Sequence, residues 1–333
     1  MQRSKTLIAQ ALATLQSNIH RTGDPLGFKT VYWTGWAEGL GLPAKGDTVL
    51  LTARMYQMLP YVVQTTEMFT SAKPLLPLLS IKAFSRLALM AGAVAAEPLI
   101  RVKALKARTI KSRADTALKG MVAALKLSGI RPAYLYGQDP YSGALLHDLG
   151  LEADIAPHAQ SVYQILKSCG IRRVITVDPH TTFMLTHVFP EYVVNYDLDV
   201  KHYFDCLSPD IGGLESRVVK GLPNRFVLHD SCVMTRNLGI IAQVRKLAEC
   251  LNFELLEPEN TREDTACCGG PVEYAYADLS AKISNLRIQE LARVSKNILV
   301  TCPICLINLM KYEREMNIRV WDMGELLKAV TEK

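Results

Sequence analysis

Five of the eight cysteines in this 333-residue chain fall in three groups within its last third: Cys232, the adjacent pair Cys267-Cys268, and the Cys302-Pro303-Ile304-Cys305 turn. Thirty-four residues separate the first group from the second, and thirty-three separate the second from the third. Neighbouring cysteines rarely bridge each other, because one trans peptide holds their Cα atoms too close and points their Cβ atoms apart. "TACCGGP" (265–271) therefore needs partners from elsewhere in the chain. The amino-terminal "MQRSKTLIAQALATLQSNIH" has helical apolar spacing and no h-region, so a reducing, cytoplasmic compartment is expected, where clustered cysteines more often hold metal than form disulfides. The other three, Cys169, Cys206 and Cys250, stand singly and read as small buried hydrophobes.

The elements that must position these thiols can be read from the apolar pattern. "AYLYG" (133–137), "RVITVD" (173–178), "RFVLHD" (225–230), "NFELLE" (252–257) and "NILVTC" (297–302) read as strands, and "HAQSVYQILKSCG", "IIAQVRKLAECL" and "SAKISNLRIQELARVSK" as helices between them. That alternation predicts an α/β protein with short parallel sheets and crossover helices. A Cys-Pro-x-Cys turn at a strand-to-helix junction sends both sulfurs into the crevice at the carboxyl end of the sheet. Amides at the start of that helix favour thiolate.

The two halves repeat. "FVLHDSC" (226–232), "ACCGGPVEYAY" (266–276) and "NILVTCPICLINL" (297–309) align with "VLLTARM" (49–55), "DPYSGALLHDLG" (139–150) and "RRVITVDPHTTFML" (172–185). Two tandem Rossmann-like units follow: 47–205, with a helical insertion at about 70–113, and 206–333, after a helix-and-loop lead over 1–46. Trp33 and Trp36 are expected to pack against the body or against a partner, which makes that lead a candidate docking surface.

This arrangement resembles the cysteine-rich "CCG" domain found in the heterodisulfide reductases and in the iron–sulfur components of glycolate and lactate oxidases. The likeness runs from about 47 to 315, with a final spacing slightly shorter than is usual there. The resemblance implies one iron–sulfur cluster in the second unit, a [4Fe-4S] centre of cubane or non-cubane form. Its implied ligands are Cys232, Cys267, Cys268, Cys302 and Cys305. Soft thiolates suit zinc as well as iron–sulfur, but a tetrahedral zinc uses four of the five.

The first unit departs from the resemblance. Arg54, Tyr141, Ser142, Asp178 and Thr181 occupy its corresponding positions, and none is a soft ligand. The vacated crevice is expected to close around an Arg54–Asp178 ion pair, with Tyr141 filling volume and Ser142, Thr181 or His180 adding hydrogen bonds. The alternative is an anionic substrate held by Arg54 and His180.

The resulting reading is an electron-transfer subunit of a heterodisulfide reductase-like complex, working with flavoprotein or ferredoxin-like partners. No GxGxxG, P-loop or ferredoxin cysteine run supplies a second cofactor. The formal charge of +6 is spread along the chain, which argues against nucleic acid. The apolar and then basic stretch 72–113 is too interrupted by charge to span a bilayer, yet it could lie on an anionic membrane at the inner face of the cell. A zinc-binding assembly protein and a membrane-surface adaptor remain as rival readings. His229 is a candidate proton donor, and His229 and Asp230 otherwise orient the loop at the strand end. Glu263 and Asp264 cap the local turn, and Gly269 and Gly270 let the backbone approach the metal.

Overall fold

A computed structural model describes residues 2–28, 30–64, 107–207, 221–270 and 276–332. The insertion expected over 70–113 lies outside the described residues as far as 106.

Short apolar runs that are buried on both faces become parallel strands. In the first half, β1 (Thr48–Leu51), β2 (Arg173–Thr176) and β3 (Asp199–His202) form a parallel sheet in that order, with Thr48 opposite Arg173 and Arg173 opposite Asp199. The expected strand at 133–137 is reduced to a parallel bridge between Ala133 and Val49, on the free edge of β1. In the second half, β4 (Arg225–His229), β5 (Glu254–Leu256), β6 (Asn297–Val300) and β7 (Arg319–Asp322) are parallel in the order β5-β4-β6-β7. Counting the Ala133 bridge, the two sheets have the same order and direction. The fold is α/β with two short parallel sheets, as the alternating pattern predicts.

Eight helices matter for the argument: α1 (Gln2–Thr22), α2 (Arg108–Leu127), α3 (Glu152–Ser168), α4 (Pro179–Phe183), α5 (Ala242–Cys250), α6 (Ala277–Val294), α7 (Pro303–Met310) and α8 (Met323–Thr331). The turns that start α4 and α7 are alike. Asp178 caps α4 and Cys302 occupies the same place before α7, and each is followed by a proline at the first helical position, where a missing N–H costs nothing.

The halves are tied by α2 lying across α8. A Cβ on Gly120 would overlap the Gly324 carbonyl and come within 2.5 Å of Lys328 N, so the two backbones touch where neither has a side chain. Beside that contact the Arg113 guanidinium donates to both Glu325 oxygens (2.8 and 2.7 Å), to Glu313 (3.1 Å) and to the Val320 carbonyl. Arg113 is thus buried in ion pairs and is no part of a solvated cationic flank.

Trp33 and Trp36 are 1% exposed. Trp33 stacks on Phe28 and meets Tyr61 edge-on, while Trp36 donates to the Tyr134 hydroxyl at 3.1 Å. The two tryptophans belong to the core, so they pack against the body and are not a docking surface for a partner. Cys169, Cys206 and Cys250 are half-buried rather than fully buried.

Candidate metal centre

β4 delivers the first part of the site. It ends at His229, and Asp230, Ser231 and Cys232 follow, with Cys232 capping a short wide helical turn (Val233–Asn237). Asp230 is buried and collects Arg245 (3.2 and 2.8 Å), the Thr261 hydroxyl (3.1 Å) and the Arg262 amide (2.8 Å), while its carbonyl accepts from Thr265 (2.9 Å). One carboxylate thereby fastens the end of β4 to the loop that carries Cys267 and Cys268. Arg236 adds bonds to the Glu263 and Thr265 carbonyls. Glu263 and Asp264 sit in a short 3-10 turn (Arg262–Asp264).

Gly269 has φ +91°, and a Cβ there would meet the Ser280 carbonyl at 2.5 Å. Close packing against the start of α6 and a left-handed backbone are what require this glycine, beyond the expected approach to a metal. Its amide points at the Cys267 sulfur, 3.3 Å away.

Cys268, Cys302 and Cys305 are buried, and Cys232 and Cys267 half-buried. The five sulfurs form one connected chain. Cys232 and Cys268 both hydrogen-bond to Cys267, and Cys305 bonds to Cys268 and to Cys302. Bonds from Cys232 and Cys268, joined by the Gly269 amide, hold the Cys267 thiol well below its usual range. Burial pushes Cys302 up, but bonds from Cys305 and His180 more than reverse it, so Cys302 also favours thiolate. Cys232, Cys268 and Cys305, which donate to these, are driven upward.

His180 is the unexpected member, because it belongs to the first half. It stands in the Asp178-Pro179-His180-Thr181 turn at the place where the second half has Ile304, and it hydrogen-bonds Cys302. Its Nδ1 meets Asp148 Oδ2 at 3.0 Å, which leaves the other ring nitrogen for the sulfur. Asp148, between two histidines, is held down at about 2 although burial opposes this. The emptied crevice therefore backs directly onto the cysteine site. Another contact across the halves runs from the Tyr56 hydroxyl to Asp322 Oδ2, at 2.9 Å.

The vacated positions are rearranged from expectation. Asp178 and Thr181 form a helix cap (2.9 Å from the Thr181 amide to Asp178 Oδ1), and Ser142 meets Thr181 at 3.2 Å. Tyr141 is buried, with its hydroxyl accepting from the Leu145 amide. Arg54 does not pair with Asp178. Its Nη1 donates to Asp24 at 2.7 Å, and its Nε and Nη2 both donate to the Asp139 carbonyl. Ala53 and Arg54 are left-handed (φ 44° and 65°), which turns the guanidinium away from the α4 start and toward the lead. Burial pushes Asp178 up to about 6, against the opposing Thr181 bonds and the His180 charge.

Arg287 was also outside the expected set. It is 1% exposed on α6, donating to His229 Nδ1 (3.0 Å), the Asn260 carbonyl and Glu290. A legible signal existed: Ser280, Ser284, Arg287, Ile288 and Leu291 share one helix face, so a charge falls on the buried stripe. Burial and Arg287 together hold the His229 pKa well below its usual value. His229 Nε2 and the Ser231 hydroxyl, buried beside the sulfurs' entry strand, have no partner among the described residues. Five soft donors with hydrogen-bond donors in need of acceptors fit a sulfur-rich metal group.

Residues 226–310 match the profile of CCG, a cysteine-rich domain family. Over 223 residues the chain is 24% identical to an EtfAB:quinone oxidoreductase from Syntrophomonas wolfei, covering 63% of this chain and 31% of that one. Over 199 residues it is 25% identical to a "Probable membrane-anchored ferredoxin" from Chromohalobacter salexigens, covering 58% and 30% respectively. The chain thus matches about a third of the length of these curated relatives. Among solved structures, Picrophilus torridus aspartate racemase overlaps with a TM-score of 0.31 at 16% identity, covering 65% of this chain and 87% of that one, too loosely to bear on fold or function. No helix among the described residues is long and apolar enough to cross a membrane.

Proposed function

From a chain whose second half carries a CCG cysteine-rich domain, we propose an iron–sulfur electron-transfer subunit of a larger redox assembly, with Cys232, Cys267, Cys268, Cys302 and Cys305 as ligands. The observation that carries this is the gathering of five interacting sulfurs at one site, three of them, Cys268, Cys302 and Cys305, buried. A structural tetrahedral zinc would strand one of them. A cluster held there supplies one-electron transfer. The protein's own residues do the rest. β4, the 267–268 loop and the start of α7 bring the thiols together, Asp230 locks two of those segments, and His180 and the Gly269 amide stabilise thiolate at Cys302 and Cys267.

Five cysteine ligands favour a [4Fe-4S] group in the heterodisulfide reductase manner, but cleavage of a disulfide between two facing clusters needs a second soft-ligand site. The first half offers an arginine, hydroxyls and a carboxylate, so relay of single electrons is the favoured role. The relatives' names, a quinone oxidoreductase and a ferredoxin, support redox partners, of which a flavoprotein or ferredoxin-like subunit is the proposed kind, and the cysteine usage is the ground for proposing a cytoplasmic location. Peripheral membrane attachment through 72–113, without the buried and ion-paired Arg113, completes the proposal, and flotation with anionic vesicles tests that part. Anaerobically purified protein is expected to be brown, with iron and acid-labile sulfide in equal measure. A colourless sample retaining one zinc would defeat the redox reading.

A further inference from the structure

A ring nitrogen of His229 and the sulfurs of Cys268 and Cys305 lie within 4.8 Å of one another, which resembles a ligand triad. The wiring of the ring says otherwise. We propose that the His229 Nε2–H, unpartnered among the described residues, is a donor reserved for the sulfurs of the bound group, with its tautomer set by Arg287, and that His229 is not a ligand.

Arginine is always a donor and never an acceptor. Its Nε approaches His229 Nδ1 at 3.0 Å, so Nδ1 must present a lone pair. An imidazole with a bare Nδ1 carries its proton on Nε2, the nitrogen left without a partner on the side away from Arg287. A metal-binding histidine shows the reverse pattern, with its second nitrogen donating to a carboxylate or carbonyl. Arg287 is itself immobilised, with Nη1 on the Asn260 carbonyl and Glu290 and Nη2 3.3 Å from the Thr265 hydroxyl, so it cannot turn its donor away. His180 supplies the contrast: its Nδ1 faces a carboxylate, Asp148.

An N–H donated to a sulfur that has become a metal-bound thiolate draws charge from it and favours the reduced state of whatever the sulfur binds. His229 then sets the potential of the centre, and Arg287 is a positioning residue acting through it. The tautomer stands on the metal-free geometry, whereas the effect on potential rests on the iron–sulfur reading above, and the two are measured separately.

Ring ¹⁵N NMR of the metal-free protein, with the His229 signal identified by its loss in His229→Gln, is expected to show the Nε2–H neutral form. An Nδ1–H or doubly protonated ring overturns the proposal whether or not iron binds. In anaerobically loaded protein, ¹⁵N-histidine pulsed EPR should show no strongly coupled nitrogen that vanishes in His229→Leu. That variant should retain iron and shift to lower potential, with His229→Gln, which keeps an N–H, recovering part of the shift. A strong coupling lost in His229→Leu, or an unchanged potential at full iron content, would sink the donor role. Wild-type protein without iron would instead defeat the iron–sulfur reading and leave the tautomer to be judged by NMR.

Discussion

The two halves of this molecule apply one design to opposite ends. Both place a strand end, a loop residue pair and a proline-started helix around one crevice, in sheets of the same order. In the second half that crevice gathers five sulfurs. In the first, Asp178, Thr181 and Ser142 still meet, but as a helix cap and a hydroxyl contact, and the arginine at the remaining position has left for another partner. The difference teaches that an emptied site need not be filled by pairing its replacements with each other. We propose that the halves arose by duplication over 47–205 and 206–333, and that the emptied unit now serves the other by presenting His180 to Cys302.

The comparison breaks most sharply if the second site is rewritten as the first. Cys302→Asp, which copies Asp178, should reduce bound iron and sulfide to background while circular dichroism stays native. Iron retained at full occupancy would show that Cys302 is no ligand.

Next in size is Arg54→Ala, expected to cost about 3–5 kcal/mol in urea unfolding, because it strands the fully buried Asp24 without its cation. Asp178→Asn should cost far less, since Asp178 holds only a helix cap. Equal losses for the two would restore the Arg54–Asp178 pair that the geometry denies.

A pH measurement sharpens the same contrast. Burial, against the opposing Thr52 bond and Arg54 charge, raises Asp139 to about 7. The native state then keeps a proton that the unfolded state releases near pH 4. The stabilisation from that proton is complete below about pH 4 and is lost as pH rises toward 7, with a slope of at most about 1.4 kcal/mol per pH unit. Asp139→Asn should flatten that window relative to the parent, and parallel curves for the two proteins would contradict the raised value.

The smallest effect concerns the seam between halves. Gly120→Ala forces a Cβ into the Gly324 carbonyl and should cost about 1–3 kcal/mol, seen as a lower urea midpoint. An unchanged midpoint would mean that α2 and α8 can separate freely.

Much of this was legible in the sequence because it is local. Alternating apolar runs located β2, β4, β5 and β6 within a residue or two, and the Pro-containing turns located both helix starts. β3 and β7 carry no such signal: "DVKH" and "RVWD" mix charged and apolar residues over only four positions, too short for a period to stand out. The strand expected at 133–137 shrank to a bridge because Tyr136 takes a left-handed turn (φ 50°) just after it.

The cysteine spacing and the missing cysteines in the first half were fixed by the sequence alone, since residue type decides which atoms can bind soft metal. Partner choice was settled only in three dimensions. Asp24 lies 30 residues before Arg54, Asp148 lies 32 before His180, and Arg287 lies 58 after His229, each brought together by strands and helices packing rather than by any spacing along the chain. A buried charge takes whichever opposite group the packed core delivers within hydrogen-bond reach, and that depends on the whole fold.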